Sequence, residues 1–424
     1  MLISIAFKNM LRYKRRTLVT SCAVAFGVMF SIVFNGFLAG MNNESTRNLI
    51  DYETSGAKFF ADGYFKERDT LPLDYLIEEN SAKEIGTFLD SKNISFTPEI
   101  LLPCEVYFSE EYFETSGSIT GVLCALDPKK SEKVFKIASQ IESGTWLKKE
   151  EGEEYCTGAV IGSWIADDMK AQPGWYVTIQ CKGRGGFMQT IDVPITGIVH
   201  CPDVPVNAGY IFMDINYINE MLEMEGAVTA IDTNLGGMST VNSNVKKLKK
   251  DFSEIQNDSK VKLYSWNEIA EDIVSVQKMY EGISSLIMLF LFIVAAVGIS
   301  NTMLMSVLER KNEIAMLKAM GYTPFYIKSL FMTEGILIGC TGCIIGMVAG
   351  CLINIPLVNV GIDFTQMLSE IDIGYRISGL IRSDWNFTGF AKIIFGALLI
   401  AAFASYFPSR SISKKEIAEI FRKN

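Results

Sequence analysis

Four stretches of this chain limit most of what it can fold into. A helix crossing about 30 Å of hydrocarbon needs about 20 mostly apolar residues. Residues 17–39, 283–305, 326–355 and 387–407 each meet that requirement. Hydrocarbon offers the backbone no hydrogen bonds, so a lone apolar segment of this length crosses it as an α-helix. No charge lies near the centre of any of the four. Glu334 stands toward one end of the third. Lys392 stands near the start of the fourth, where its ammonium can reach the interface while its stem lies along apolar surface. The expected architecture is an α-helical membrane protein with four transmembrane helices plus a mixed α/β extracytoplasmic domain. In order, the parts are an N-terminal amphipathic segment (1–16), the first span (17–39), the extracytoplasmic domain (40–282) and a C-terminal membrane part (283–424).

Orientation follows from the flanks. Residues 1–16 carry Lys8, Arg12, Lys14, Arg15 and Arg16 and no acid. The connection 308–328 has four basic and two acidic residues, and the tail 409–424 has five and two. The connection 356–386 has Arg376 and Arg382 against Asp363, Glu370, Asp372 and Asp384. Lys and Arg gather on the cytoplasmic side of short loops. This puts both termini and 308–328 in the cytoplasm, and 40–282 and 356–386 outside the cell inner membrane. A signal peptide would also have a basic flank, but its apolar core runs about 7–15 residues. The run here is longer and Leu38-Ala39-Gly40 is a poor cleavage site, so the span is expected to stay. Residues 41–281 hold 39 acidic and 22 basic side chains, a balance that repels phosphate and excludes a nucleic-acid partner.

Before the first span, Leu2, Ile3, Ala6, Phe7 and Met10 recur at helical spacing, with Lys8, Arg12 and Arg15 on another face. This reads either as a basic amphipathic helix on the anionic leaflet or as the start of the span itself. The outer region mixes strand-like runs (118–125, 176–181, 191–199, 210–213, 261–264) with helix-like ones (127–142, 163–170, 215–224, 240–251). Residues 265–281 have helical character and continue into the second span, as one long helix or with a break at Gly282. In the third span Gly335 and Gly339 are four apart, as are Gly342, Gly346 and Gly350, the spacing that lets two helices approach closely in lipid. These five are expected to pack on another span or on a second subunit. Cys104, Cys124, Cys156, Cys181 and Cys201 are scattered through the polar region with no zinc-ribbon spacing. Being odd in number they cannot all pair, and they read as buried or free thiols whose disulfide state stays open.

Chemistry is conspicuous by what is missing. There is no G-x-x-x-x-G-K-[ST] phosphate loop and no Gly-Lys pair. A single histidine, His200, excludes histidine-rich metal sets, and no G-x-S-x-G accompanies it. No catalytic, cofactor or metal site is expected. The strongest motif is Leu308-Glu309-Arg310-Lys311-Asn312-Glu313-Ile314-Ala315-Met316-Leu317-Lys318-Ala319-Met320-Gly321, followed by Leu330-Phe331-Met332-Thr333-Glu334-Gly335. Ile314, Leu317 and Met320 make an apolar edge at helical spacing, among the charges of Glu309, Arg310, Lys311, Glu313 and Lys318.

These motifs resemble the ABC permease family that includes FtsX, MacB and the lipoprotein-releasing LolC/LolE-like permeases. In that family an E-R-x-x-E-I-x-x-L-x-A-x-G stretch precedes a span opening on L-F-x-x-E. The tail from Phe407-Pro408-Ser409-Arg410 to Ile417-Ala418-Glu419-Ile420-Phe421-Arg422 looks like the family's closing segment, and the order of one span, an outer domain and three spans matches. Weaker likeness to the MacB-like periplasmic core domain lies at 121–128, 141–144 and 159–162. The resemblance makes 283–424 an FtsX-like permease domain. It implies that Glu309, Arg310, Glu313, Ile314, Leu317, Lys318 and Gly321 couple to an ABC ATPase on another chain, which would bind ATP and Mg. It further implies a second permease chain, identical or not, and outward motion in place of a central channel. Size and layout best fit the type that releases lipoproteins toward a periplasmic carrier. MacB-like efflux of peptides or drugs and FtsX-like signalling to cell-wall hydrolases are the alternatives.

Overall fold

The computed structural model describes residues 2–12, 14–109, 115–149, 154–255, 260–364 and 379–413. Helices α1 (Leu2–Arg12) and α2 (Lys14–Leu49) lead to β1 (Ala57–Ala61), α3 (Tyr64–Glu67) and α4 (Glu79–Ser91). Two long strands follow, β2 (Phe96–Ser109) and β3 (Thr115–Leu126). Next come α5 (Pro128–Val134), β4 (Ile141–Gly144), β5 (Ala159–Gly162), α6 (Ser163–Met169), β6 (Tyr176–Lys182) and β7 (Met188–Val199). Then α7 (Val204–Gly209), β8 (Tyr210–Asp214), α8 (Ile215–Met221), β9 (Ala230–Thr233), α9 (Met238–Ile255), β10 (Val261–Ser265) and the single turn α10 (Trp266–Ile269) complete this stretch. The chain ends with α11 (Glu271–Glu309), α12 (Lys311–Ala319), α13 (Pro324–Asn359) and α14 (Phe387–Ser413).

Two compact units result. One comprises Asn43–Ser275 and Phe364–Gly379, the other Met1–Asn42, Val276–Asp363 and Leu380–Asn424. In the α/β unit six strands close into a ring, β2–β3–β8–β5–β7–β6 and back to β2, with β3–β8 and β5–β7 parallel and the rest antiparallel. The side-chain period of two fills the interior: Val106, Phe108, Leu123, Val177, Ile179, Val193 and Ile211 are all buried there. The first half of β2 also joins an antiparallel extension, β10–β1–β9–β2. Helices α4 and α9 cover it with Ile85, Leu89, Val241, Val245, Leu248 and Phe252, a stripe at helical spacing. Phe252 meets Phe59 edge-on at 4.9 Å between ring centroids.

Two local expectations change. The run 127–142 is not one helix. Asp127 caps α5 by accepting from the Lys129 and Lys130 amides, and Pro128 holds the first helical position. The helix stops at Phe135, which turns extended and drops its ring into a core with Cys124, Leu126 and Phe212. Residues 141–144 then pair with β7. In 265–281 the break falls at Ala270, after a capping box between Ser265 and Glu268, and α11 runs unbroken through Gly282 and Gly298. Neither of those glycines has an atom within 4 Å of where a Cβ would sit. The tail residues 414–424, and with them most of the expected closing segment, lie outside the described residues, as do Glu370, Asp372 and Arg376.

In the other unit, α2, α11, α13 and α14 are each long and apolar enough to cross a membrane. They bury Val24, Val28, Ile32, Phe292, Ile299, Ile338 and Ala401 between them. Leu286, Phe290, Val297, Phe395 and Phe403 stay exposed, as a lipid-facing surface requires.

Below the apolar faces of the α/β unit lies a buried charge cluster. Lys58 on β1 faces Asp232 on β9 in register, and its Nζ lies 3.1 Å from Asp232 Oδ1 and 2.6 Å from Glu99 Oε2 on β2. All three side chains are at most 5% exposed. Burial, then the charge of Glu99, pushes the Asp232 carboxyl well above its ordinary range against the pull of Lys58. Burial works against the charge of Lys58, but the two carboxylates outweigh it and raise its pKa. The rise means that the folded state favours the protonated form of Asp232, a contribution to stability. That contribution is fully present below an unfolded pKa of about 4 and fades as pH rises toward the folded value. Asp232→Asn is therefore expected to gain stability relative to wild type as pH rises above about 5, read as proteolysis or thermal midpoints of the full-length protein. An equal loss at every pH would mean that Asp232 is an ionised partner of Lys58. Lys58→Ala, which strands the carboxylates, should cost about 3–5 kcal/mol.

Candidate coupling site

The segment joining α11 to α13 is built around one guanidinium. Arg310 stands between α11 and α12 with a non-helical backbone (φ −101°, ψ 22°) and is only 7% exposed. Its Nε donates to Glu313 Oε2 at 2.7 Å, one turn on in α12. Its Nη1 donates to Glu334 Oε2 at 3.1 Å on α13, where the carboxylate is buried. The Phe331 ring lies 5.3 Å from its Cζ. A planar donor fork suits this: one residue satisfies two carboxylates on two helices. The Arg310 hydrogen bond holds the Glu313 carboxyl below its usual range.

Around the fork the segment closes tightly. Gly321 has φ +89°, and its amide bonds Lys318 O while the Tyr322 amide bonds Leu317 O. This is a left-handed helix end that glycine adopts without a Cβ penalty. Thr323 then caps α13 through the Tyr326 amide, with Pro324 in the first turn.

The expected contacts therefore divide. Glu309 is exposed, and Glu313, Leu317 and Lys318 are partly so. Burial lowers the Lys318 pKa. Ile314 and Arg310 do not belong to an outward edge. Ile314 is 1% exposed and packs with Val307, Ile327 and Phe331, because the turn at Arg310 folds this face of α12 onto α11 and α13. Arg310 is turned inward to neutralise Glu334. The exposed large apolar side chains from 308 to 325 are Leu308, Met316, Met320, Tyr322 and Phe325, the last at 77%. Of these only Met320 figures in the helical-spacing reading. Phe325 follows a helix-starting Thr-Pro pair, a signal that it begins a new turn at the surface.

The glycines of α13 lie against two other helices of the same chain. A Cβ at Gly342, Gly346 or Gly350 would meet α2, at 2.7 Å from Val24 Cβ, 2.9 Å from Val28 Cβ and 3.1 Å from Ile32 Cβ respectively. At Gly335 and Gly339 it would meet Ser405 and Ala401 of α14. Ser21 to Thr341 adds a hydroxyl contact to this seam, Thr20 to Thr302 joins α2 to α11, and Ser300 to the Ala404 carbonyl joins α11 to α14. A separate cleft of 230 Å³ is lined by α2, α11, α14 and the residue before it, Asn386. Ser31, Asn35, Asn42, Ser284 and Lys392 give it polar walls, Phe30, Phe34 and Leu291 apolar ones. Ser31 Oγ and Asn35 Oδ1 are buried there with no hydrogen-bond partner among the described residues.

Elsewhere, His200 Nδ1 lies 2.8 Å from Ser163 Oγ, and among the described residues no carboxylate is hydrogen-bonded to that ring. Among the described residues no two cysteines are joined by a disulfide. No group of three or more His, Cys, Asp or Glu side chains among the described residues could hold a metal ion.

Residues 285–417 match the family described as FtsX-like permease, C-terminal. Over 99% of its length the chain is 23% identical to an uncharacterized ABC transporter permease of Methanocaldococcus jannaschii, covering 97% of that protein. Residues 285–417 are therefore an FtsX-like permease domain. The chain is also 24% identical to the ABC transporter permease YtrF of Bacillus subtilis, over 98% of this chain and 96% of that one. To the lipoprotein-releasing system transmembrane protein LolC of Neisseria meningitidis serogroup B it is 22% identical, over 96% and 94%. The four apolar helices make the chain a multi-pass membrane protein, and the FtsX-like permease domain implies an ATPase partner.

Arg310→Ala leaves Glu334 buried without its cation and should cost about 3–5 kcal/mol, read as thermal stability in detergent. The double change Arg310→Met, Glu334→Leu should recover most of that loss. Gly342→Leu should prevent α13 from seating on α2, seen as aggregation or rapid proteolysis, while a leucine at the open Gly298 should be tolerated.

Proposed function

We propose that this permease works in an ABC transporter that releases lipoproteins from the inner membrane toward a periplasmic carrier. The observation that carries the reading is that similarity to a lipoprotein-releasing protein runs through 96% of the chain, α/β unit included. The cleft supports it chemically. An acylated polypeptide brings apolar chains beside ester, amide and often charged groups. Aromatic walls next to Ser31, Asn35 and Lys392 offer both kinds of contact.

In this proposal two permease chains sit above two ATPase chains, which hold ATP and Mg. Closure of the ATPases pushes on Glu309, Glu313, Leu317, Lys318 and the exposed Met316, Met320 and Phe325. The buried Arg310 fork passes that displacement to α11 and α13 instead of letting α12 swing alone. Both termini and α12 face the cytoplasm, and the α/β unit faces the periplasm. Transport then follows from movement of the outer parts, with no ion or solute path through the bundle.

Three measurements test this. Depleting the protein should leave lipoproteins in the inner membrane, and unchanged sorting would remove the lipoprotein assignment in favour of efflux or hydrolase signalling. Affinity purification from native membranes should bring down an ATPase with a phosphate loop, and Glu313→Lys should reduce its recovery about tenfold without loss of insertion. An impermeant thiol reagent should reach Met316→Cys only after the inner membrane is opened; labelling of intact spheroplasts would overturn the topology.

A further inference from the structure

The Arg310 fork has a third partner, on a helix that the coupling reading leaves unused. The Asn9 side-chain carbonyl on α1 accepts from Arg310 Nη1 at 3.2 Å and Nη2 at 2.9 Å, in the amide orientation that satisfies both of its polar atoms. One turn on, Arg12 Nη1 lies 3.1 Å from Glu313 Oε1 on α12. Both contacts are made by the same face of α1, at i and i+3. Helix α1 is itself fixed in place. Ala6 is fully buried and Met10 is 8% exposed in the core of the helical unit. The helix packs along α13, and Thr17 Oγ1 donates to the Met10 carbonyl at 3.2 Å. Phe7 and Lys8 face outward.

The backbone gives this contact pair its importance. Arg310 departs from helical geometry, so the direction of α12 is not set by a hydrogen-bond ladder continuous with α11. Side chains must set it. Glu334 ties the fork to α13, Glu313 ties it to α12, and Asn9 occupies the remaining edge of the guanidinium. Arg12 holds the second oxygen of Glu313, so the carboxylate that Arg310 uses cannot rotate away. The Arg12 pair is exposed and weak alone, but it acts on a group already fixed by a buried cation.

We infer that α1 is part of the coupling device, and that Asn9 and Arg12 are positioning residues that hold α12 at a fixed angle through Arg310 and Glu313. This deepens the coupling reading and rests on it. Without the two contacts α12 would stay folded and keep its outward side chains, but its displacement would no longer be delivered to α11 and α13.

Hydrogen exchange of the full-length permease in nanodiscs tests the latch without the ATPase. Asn9→Ala with Arg12→Ala should raise exchange across residues 312–320 about tenfold while the α/β unit is unchanged. Arg12→Lys, which restores the charge, should bring that exchange most of the way back when it replaces Arg12→Ala. Lys8→Glu, on the outward face of the same helix, should leave it alone. An unchanged α12 in the double variant would overturn the latch. So would equal loosening by Lys8→Glu, since the effect would then belong to the net charge of α1. In the native complex the double variant should keep its ATPase on pull-down but lose the protection of α11 and α13 that ATP induces in wild type. Absence of any ATPase from the wild-type pull-down would sink the coupling reading instead and leave the exchange result standing.

Discussion

Hydrocarbon is a solvent that cannot hydrogen-bond and gives helices no hydrophobic reason to associate, and the helical unit is organised around those two facts. The first makes each crossing a helix. The second means that the helices must hold together by contact at short range. Hence the glycines of α13, which bring its backbone against Val24, Val28 and Ile32 on one side and against Ala401 and Ser405 on the other. One helix thereby clasps two neighbours on two faces; the Ser21–Thr341 pair fastens its seam with α2, and Thr20–Thr302 ties α2 to α11. The Arg310 fork depends on this. Glu334 can be buried beside it only because α13 is held close enough to present it.

Charge is buried in both units, and the two clusters balance it differently. Arg310 faces Glu313 and Glu334, and the partly exposed Glu313 also pairs with Arg12, so two cations meet two carboxylates. Lys58 faces Glu99 and Asp232 with no second cation, and burial together with Glu99 raises the Asp232 pKa and favours its neutral form. The first arrangement is sensitive to anything that draws Arg12 away from Glu313. The second locks three adjacent strands in register, because only one pairing puts Lys58 opposite Asp232.

Much of this was legible in the sequence, for physical reasons that differ by region. The four crossings were plain because length and apolarity alone decide them, and the strands 176–181 and 191–199 because one face is buried and alternation shows. The longest strand, β2, was hidden by Pro98 and Pro103, residues that normally mark edges and turns. Strands β1 and β9 carry Lys58 and Asp232 at fully buried positions, and a charge inside a short apolar run reads as surface until its partner is known. The same blindness affected Arg310 and Ile314. Helical spacing puts Ile314, Leu317 and Met320 on one side of α12. It cannot say that a non-helical residue at 310 turns that side partly inward. Contacts between residues 41 or more positions apart, as in Lys58–Glu99 and Arg12–Glu313, leave no trace in one sequence.

Helix α11 has a mechanical corollary. At 39 residues it is about 58 Å long, nearly twice the thickness of the hydrocarbon it would cross. Gly282 and Gly298 lie within it, yet no neighbour crowds either one. Close packing therefore does not account for them, although each weakens the local helix by about 1 kcal/mol relative to alanine. A shaft made in this way twists most easily at two known points. Torque applied at one end would be stored there as elastic strain before it is released at the other.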